Sequence, residues 1–510
     1  MSVATTRAVA LLGLEGVLVD VEADLGAGLP AFVLVGLPDA SLGEARDRVR
    51  SAAGNSGLPL PARKLTVNLS PASLPKHGSS FDLAVALATL AAAGLVEAAS
   101  VARVVHVGEL GLDGRTRPVD GVLPAVLGAA RAGADVVMVP TADVDEAALV
   151  PGVRVVGVAS LAEDALWHGA DVDPGEVEVA RRPVRDLPAR SVPDLADVVG
   201  AHEAVEACAV AAAGGHHLLL VGPPGAGKSM LASRLPGLLP DLDVEQALEA
   251  ASVRSLCGTP VGGTLDLRPP FEAPHHTCSA AALVGGGSAV VRPGAASRAT
   301  HGVLFLDEAP EFASAVLDCL RQPLESGEVV VHRSRAVARF PARFQLVAAA
   351  NPCPCGQWGA GDVECTCTPM QRRRYLGRLS GPLVDRIDLQ VPVARVSTAR
   401  LRDADGATGT PTTAEVRERV VAARRRAAER LEGTGWRLSS QVSGAWLRSP
   451  RGRPPAEATR GLERALETGA LTMRGHDRVL RVAWTLADLD GAPRPDVSHV
   501  RRALSLRRPS

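Results

Sequence analysis

One octapeptide constrains this chain more than any other stretch. Gly222-Pro223-Pro224-Gly225-Ala226-Gly227-Lys228-Ser229 directly follows His-His-Leu-Leu-Leu-Val and precedes an apolar helical pattern. It fits G-x-x-x-x-G-K-S, a pattern that needs a buried strand before it and a helix after it. Glycines let successive backbone N–H groups curl around phosphates, and the helix start adds the positive end of its dipole. In such a loop Lys228 reaches the β- and γ-phosphates, and the Ser229 hydroxyl ligates Mg²⁺. The implied ligand is ATP with Mg²⁺, held by an α/β domain.

A second motif follows at Gly302-Val-Leu-Phe-Leu-Asp307-Glu308. A buried strand ending in two acids suits a metal-anchoring Asp307 and a water-activating Glu308. The next apolar strand, 344–350, ends at Asn351-Pro352. A polar side chain there would orient the attacking water from a neighbouring strand; the alternative is a simple Asn-Pro turn.

At 510 residues the chain is too long for one hydrophobic core. Residues 1–170 alternate strand-like segments (63–69, 104–110, 135–139, 153–158) with helix-like ones (81–93, 121–132), and residues 1–12 read as a first strand, not a signal peptide. Residues 171–194 turn to Pro, Asp and Arg without apolar periodicity, which reads as a linker. A second domain spans 195–396 and carries the motifs above. Residues 397–510 open on a Thr/Gly-rich hinge and continue as helices, including 415–431 and 477–489. The net charge of −1 gives no global basic field, so any nucleic-acid contact must come from local patches. No apolar run approaches the ~20 residues that span a bilayer, so no membrane partner is expected. Eight cysteines are too sparse for a secreted disulfide scaffold, and the expected compartment is the cytoplasm.

The octapeptide, Val-Leu-Phe-Leu-Asp-Glu-Ala-Pro-Glu-Phe at 303–312, Ala-Asn-Pro-Cys-Pro-Cys-Gly at 350–356 and Leu-Ser-Gly-Pro-Leu-Val-Asp-Arg-Ile-Asp-Leu at 379–389 together resemble the magnesium chelatase-like AAA+ proteins. Within them the chain is most similar to the ComM/YifB branch, bacterial proteins tied to natural competence. The resemblance implies a multidomain α/β chain with a central AAA+ P-loop NTPase domain and a C-terminal helical lid. It also implies an ATPase ring, usually a homo-hexamer, with nucleotide between subunits. Arg386 matches an arginine finger offered to the neighbour's γ-phosphate, and Arg474 matches the sensor arginine of the lid, where it would bind nucleotide. For each, the alternative is an ordinary ion pair. Ala309 stands where the family usually carries Leu.

Pro75-Lys-His-Gly-Ser-Ser80-Phe-Asp and Val107-Gly-Glu-Leu-Gly-Leu-Asp-Gly resemble the proteolytic domain of Lon proteases, implying an N-terminal Lon-protease-like α+β domain. Ser80 falls near the nucleophile position, but Leu123 stands where the activating Lys is needed, so peptidase activity is expected to be absent.

Residues 327–340 read as a β-hairpin with Arg333 and Arg335 at its tip. In the resembling proteins such a hairpin faces the ring pore, and these arginines would grip DNA phosphates. His275 and His276 are adjacent on an extended stretch, so their imidazoles should point apart, favouring packed or hydrogen-bonded roles over metal ligation. Cys353, Cys355, Cys365 and Cys367 form two close C-x-C pairs that could complete a structural Zn²⁺ site; free or redox-active thiols are the alternatives. The leading functional expectation is a DNA translocase promoting branch migration on single-stranded or branched DNA during transformation. A magnesium-chelatase-like motor subunit and an ATP-driven protein remodelling factor are the rivals. The chain carries no Asp-x-Ser-x-Ser metal-binding motif, so it could not be a complete chelatase.

Overall fold

The computed structural model describes residues 3–36, 44–180, 182, 193–287, 291–332, 337–359, 365–395 and 410–507. The N-terminal part is a seven-stranded sheet built from β1 (Val3–Leu12), β2 (Glu15–Gly26), β3 (Ala31–Val35), β4 (Lys64–Ser70), β5 (Val104–His106), β8 (Val136–Pro140) and β9 (Arg154–Val158), ordered β3-β4-β2-β1-β5-β8-β9. A small separate ribbon pairs β6 (Glu109–Leu110) with β7 (Thr116–Arg117). β1 and β2 run antiparallel in register from Val3↔Asp24 to Leu12↔Glu15, whereas β1, β5, β8 and β9 are mutually parallel.

Alternation along β1 sends Ala8 and Ala10 into one core and Val9 into another on the opposite face. Helix Asp82–Ala92 fills the first face and is buried all round, which its near-continuous apolar sequence requires. Helix Val122–Arg131 covers the second. The segment expected as one strand over 104–110 breaks after His106, and Gly108 N–H bonds instead to the Ser80 carbonyl.

The central sheet is entirely parallel, with order β11 (Phe271–Glu272), β14 (Val303–Leu306), β17 (Gln345–Ala350), β10 (Leu218–Val221), β18 (Leu389–Pro392). β10, β14 and β17 are short, almost uninterrupted apolar runs, as strands covered on both faces must be. The expected hairpin is present as β15 (Glu328–His332) and β16 (Val337–Pro341), paired from Glu328↔Pro341 to His332↔Val337. Its tip, with Arg333 and Arg335, lies outside the described residues.

The C-terminal helices Thr413–Arg430, Ala456–Glu467, Met473–Asp490 and Val497–Ser505 share one hydrophobic core with helix His202–Gly214 of the sheet region. Helix Thr413–Arg430 starts where a reciprocal Thr412/Glu415 capping box satisfies its first amides. Helix Val244–Leu256 leans the other way: Leu248 and Ala251 pack into the N-terminal core, and Ser255 accepts from the Gly121 and Leu123 amides. Gly13 abuts β16 so closely that a Cβ there would meet the Arg339 carbonyl oxygen at 2.3 Å.

Candidate nucleotide site

The octapeptide forms the turn between β10 and helix Lys228–Leu238. Gly227 sits at φ +86°, a conformation glycine adopts without strain. At Gly222 a Cβ would meet the Val393 carbonyl oxygen at 2.1 Å, so only glycine lets the loop leave the sheet beside the end of β18. Lys228 Nζ donates to the Gly222 carbonyl at 2.6 Å, the Pro223 carbonyl at 3.0 Å and Asn351 Oδ1 at 3.1 Å. Burial lowers the Lys228 pKa, while the Asp307 and Glu308 carboxylates pull it back up.

Ser229 Oγ donates to Asp307 Oδ2 at 2.7 Å. The hydroxyl expected to ligate Mg²⁺ and the carboxylate expected to anchor it therefore already touch, and this oxygen pair fits a hard cation. Glu308 follows at φ +49°, its amide bonded to Asp307 Oδ1 at 2.9 Å. A non-glycine residue held there costs about 1–3 kcal/mol, a strain found where a side chain must be aimed. Asn351 reaches this cluster because β17 lies between β10 and β14.

One neighbour was not legible beforehand. His276 Nδ1 lies 3.5 Å from Glu308 Oε2. The His275 and His276 rings do not point apart: a turn at residues 276–277 brings their centroids to 4.1 Å, tilted by 32°. His275 Nδ1 is also hydrogen-bonded to Thr277 Oγ1 at 2.8 Å.

Family models match along most of the chain: magnesium chelatase, subunit ChlI over residues 194–401, subunit ChlI of Mg-chelatase over 21–143, and the ChlI C-terminal model over 410–507. Competence protein ComM of Haemophilus influenzae is 41% identical, covering 99% of this chain and 98% of its own. The uncharacterized protein YifB of Escherichia coli is 40% identical over 99% and 97%. An uncharacterized protein of Mycobacterium tuberculosis is 50% identical over 99% of each chain. The chain belongs to the magnesium chelatase-like family, in its ComM/YifB branch. Membership carries an ATPase-type AAA+ motor.

Two further arginines of this ComM/YifB-branch chain lie elsewhere. Arg386 and Arg474 line one open cleft of about 1110 Å³, together with Asp385, Asp477, Arg478 and Arg481; Lys228, Ser229, Asp307 and Glu308 are not among its walls. Arg386 is ion-paired with Glu325 and donates to the Pro382 carbonyl at 2.6 Å. Beneath it sits a buried network that sequence inspection overlooked. Asp388 accepts from Arg478 Nη1 at 2.6 Å and pairs with His216 Nδ1 at 3.1 Å, while His216 Nε2 meets Thr485 Oγ1 at 2.8 Å. Burial alone would raise the Asp388 carboxyl, but the His216 bond and the Arg478 charge hold it well below the usual carboxylate range. The network ties the C-terminal helix Met473–Asp490 to the residues that lead into β10 and β18.

Cys353, Cys355, Cys365 and Cys367 converge so that all four sulfurs lie within 4.8 Å of one another. Three separations are 3.4, 3.7 and 3.6 Å. A tetrahedral zinc with bonds of about 2.3 Å spaces its sulfurs by roughly 3.8 Å, so the set fits zinc and is far too open for a disulfide. The loop abuts the P-loop: a Cβ on Gly356 would meet Pro224 Cδ at 2.5 Å, and Arg395 bridges the Pro224 carbonyl and Gln357. Among the described residues, no helix is long and apolar enough to cross a membrane.

Proposed function

We propose that this chain is a ring-forming DNA translocase whose ATP sites are completed between protomers, acting on single-stranded or branched DNA in branch migration during transformation and recombination. The observation that carries the ring is the separation of Arg386 and Arg474 from the Lys228–Asp307 cluster. Guanidiniums lining a cleft elsewhere on the same chain can meet a γ-phosphate only if a neighbour docks its P-loop against them, and a closed hexamer repeats that contact. The DNA reading is supported by the β15–β16 hairpin with Arg333 and Arg335 in its connection, and by full-length likeness to a competence protein.

In this scheme residues 222–229 cradle the phosphates and Lys228 exchanges its carbonyl partners for phosphate oxygens. Ser229 and Asp307 would hold Mg²⁺, which neutralises phosphate charge when bound. Glu308 takes the proton of the attacking water, Asn351 fixes the direction of approach, and the neighbour's Arg386 stabilises the charge developing on the transferred group. Cys353, Cys355, Cys365 and Cys367 would hold a structural Zn²⁺ with no open position, bracing the loop against Pro224.

The N-terminal sheet, over the proposed unit 1–170, is best read as a Lon-protease-like fold without a peptidase base. Leu123 is fully buried, and the Lys76 ammonium is sequestered by the carbonyls of Gly36, Leu69 and Pro71. The remaining units run 195–396 and 397–510, and the compartment is the cytoplasm.

The deciding experiment is ATP turnover with no ligand, single-stranded DNA and forked DNA across a salt series. Stimulation by DNA that fades as salt rises is expected, because phosphate contacts release counterions. No DNA effect at low salt would refute the translocase and favour protein remodelling.

A further inference from the structure

The N-terminal sheet encloses a set of side chains unrelated to nucleotide. His106 ends β5, and Asp164 and His168 stand four residues apart at the end of helix Leu161–Trp167, one helical turn that faces both toward the strand. All three side chains are fully buried. His106 Nε2 and His168 Nε2 are 3.0 Å apart; Asp164 Oδ1 lies 3.5 Å from the second and 3.8 Å from the first. Yet neither carboxylate oxygen of Asp164 has a hydrogen-bond partner among the described residues. A buried carboxyl left this way costs several kcal/mol in general, and native interiors rarely keep one without a reason.

The hydroxyls behind the rings say which nitrogens are free. Thr6 Oγ1 lies 3.1 Å from the Val101 carbonyl and 3.2 Å from that of Val104, so its one proton goes to the backbone. It must then accept from His106 Nδ1, 2.9 Å away, which leaves the His106 Nε2 lone pair aimed into the cluster. Ser100 Oγ stands 2.8 Å from His168 Nδ1 and can accept in the same way. Two imidazole lone pairs and an unpartnered carboxylate then converge on one point, each ring steadied from behind as ligating histidines are.

We infer that His106, Asp164 and His168 form a buried zinc site that clips the helix Leu161–Trp167 to the sheet. Zinc bonds of about 2.0–2.1 Å to nitrogen and oxygen space the ligand atoms by roughly 3.3 Å, close to the separations observed. A chelating Asp164 would add its second oxygen, which also lacks a partner among the described residues, as a close-set fourth donor. A two-histidine, one-carboxylate set serves oxygen chemistry on iron only when positions stay open, whereas this one is closed by burial, so its role is structural. The site joins β1, β5, the helix Ala98–Val101 through Ser100, and the last helix of the region, adding to the apolar contacts of Leu161 and Ala165 and to the backbone bonds Leu161 N–H to the Gly114 carbonyl and Glu97 N–H to the His168 carbonyl.

The test uses the full chain carrying Cys353→Ser, Cys355→Ser, Cys365→Ser and Cys367→Ser, which removes the thiolate set. One zinc per chain should remain by elemental analysis, with an X-ray absorption edge fitted by nitrogen and oxygen and no sulfur. Adding Asp164→Asn, or separately His106→Gln, should release it. Should either variant fold poorly, zinc added back to the chelator-stripped parent should raise the melting temperature and saturate at one equivalent. A parent without zinc, an Asp164→Asn chain that keeps it while folded, or a stripped parent indifferent to zinc would each overturn the assignment in favour of a protonated Asp164 beside a hydrogen-bonded histidine pair.

Discussion

Replacing Asn351 by Ala probes the link between β17 and the P-loop. Its Oδ1 is the side-chain acceptor among the three partners of Lys228 Nζ, at 3.1 Å, the other two being backbone carbonyls of the loop itself. When phosphates displace those carbonyls, Asn351 alone holds the ammonium from the sheet side. A hydrogen bond to a charged group contributes about 1.5–3 kcal/mol. If that interaction is realised in the transition state, kcat falls roughly 10- to 150-fold, at about 1.36 kcal/mol per tenfold. The loop amides are untouched, so KM for ATP should change less than about threefold, the signature of a contact that matters after binding. Steady-state phosphate release, with nucleotide affinity measured separately, reads both. A kcat within twofold of the parent would refute the coupling, and a raised KM with unchanged kcat would reduce Asn351 to a ground-state prop.

Arg386→Ala and Lys228→Ala chains should each be inactive, the arginine loss amounting to about 10³–10⁵ in kcat; mixed, they should regain activity, because one supplies the lysine and the other the finger, and no recovery would place Arg386 on its own chain's nucleotide. Asp388→Ala breaks a buried network and should cost about 3–5 kcal/mol in chemical denaturation. Because the folded Asp388 carboxyl is depressed, its contribution is full above about pH 4, the ordinary Asp range, and disappears as pH falls through the folded value, so the gap between parent and variant should close in acid. Replacing Cys353, Cys355, Cys365 and Cys367 together by Ser should abolish the sulfur-to-metal charge-transfer band of the cobalt-substituted protein; an unchanged band would refute thiolate ligation. A fluorogenic peptide should not be cut in a Ser80-dependent way, since neither Leu123 nor the carbonyl-bound Lys76 can act as base.

What could be read along the chain was chemistry whose residues must be contiguous. A phosphate cradle needs its glycines, lysine and serine within one turn, and a buried strand ending in two acids announces itself by composition. The hairpin at 327–340 and the helix read over 415–431 were legible for a related reason: register and apolar period act over a few residues. Strand β2 was not, because Glu15–Gly26 is broken by acids and becomes a strand only through pairing with β1 and β4 on either side. The parting of residues 104–110 into β5 and β6 likewise depends on Gly108 bonding to Ser80 across the domain.

Sequence by itself therefore determined the family and marked the glycine-rich loop and the acid-ended strand that the structure brings together. Tertiary structure alone decided that His276 meets Glu308, that Arg386 and Arg474 share a cleft apart from Lys228, and that His106 finds Asp164 and His168. The groups that meet lie 32 (His276 and Glu308), 58 (His106 and Asp164) and 88 (Arg386 and Arg474) positions apart, and no local preference encodes their meeting. For His106, Asp164 and His168 it is burial that brings them within a few ångströms and removes the water that would otherwise have satisfied them, whereas His276 and Glu308 meet while still partly exposed.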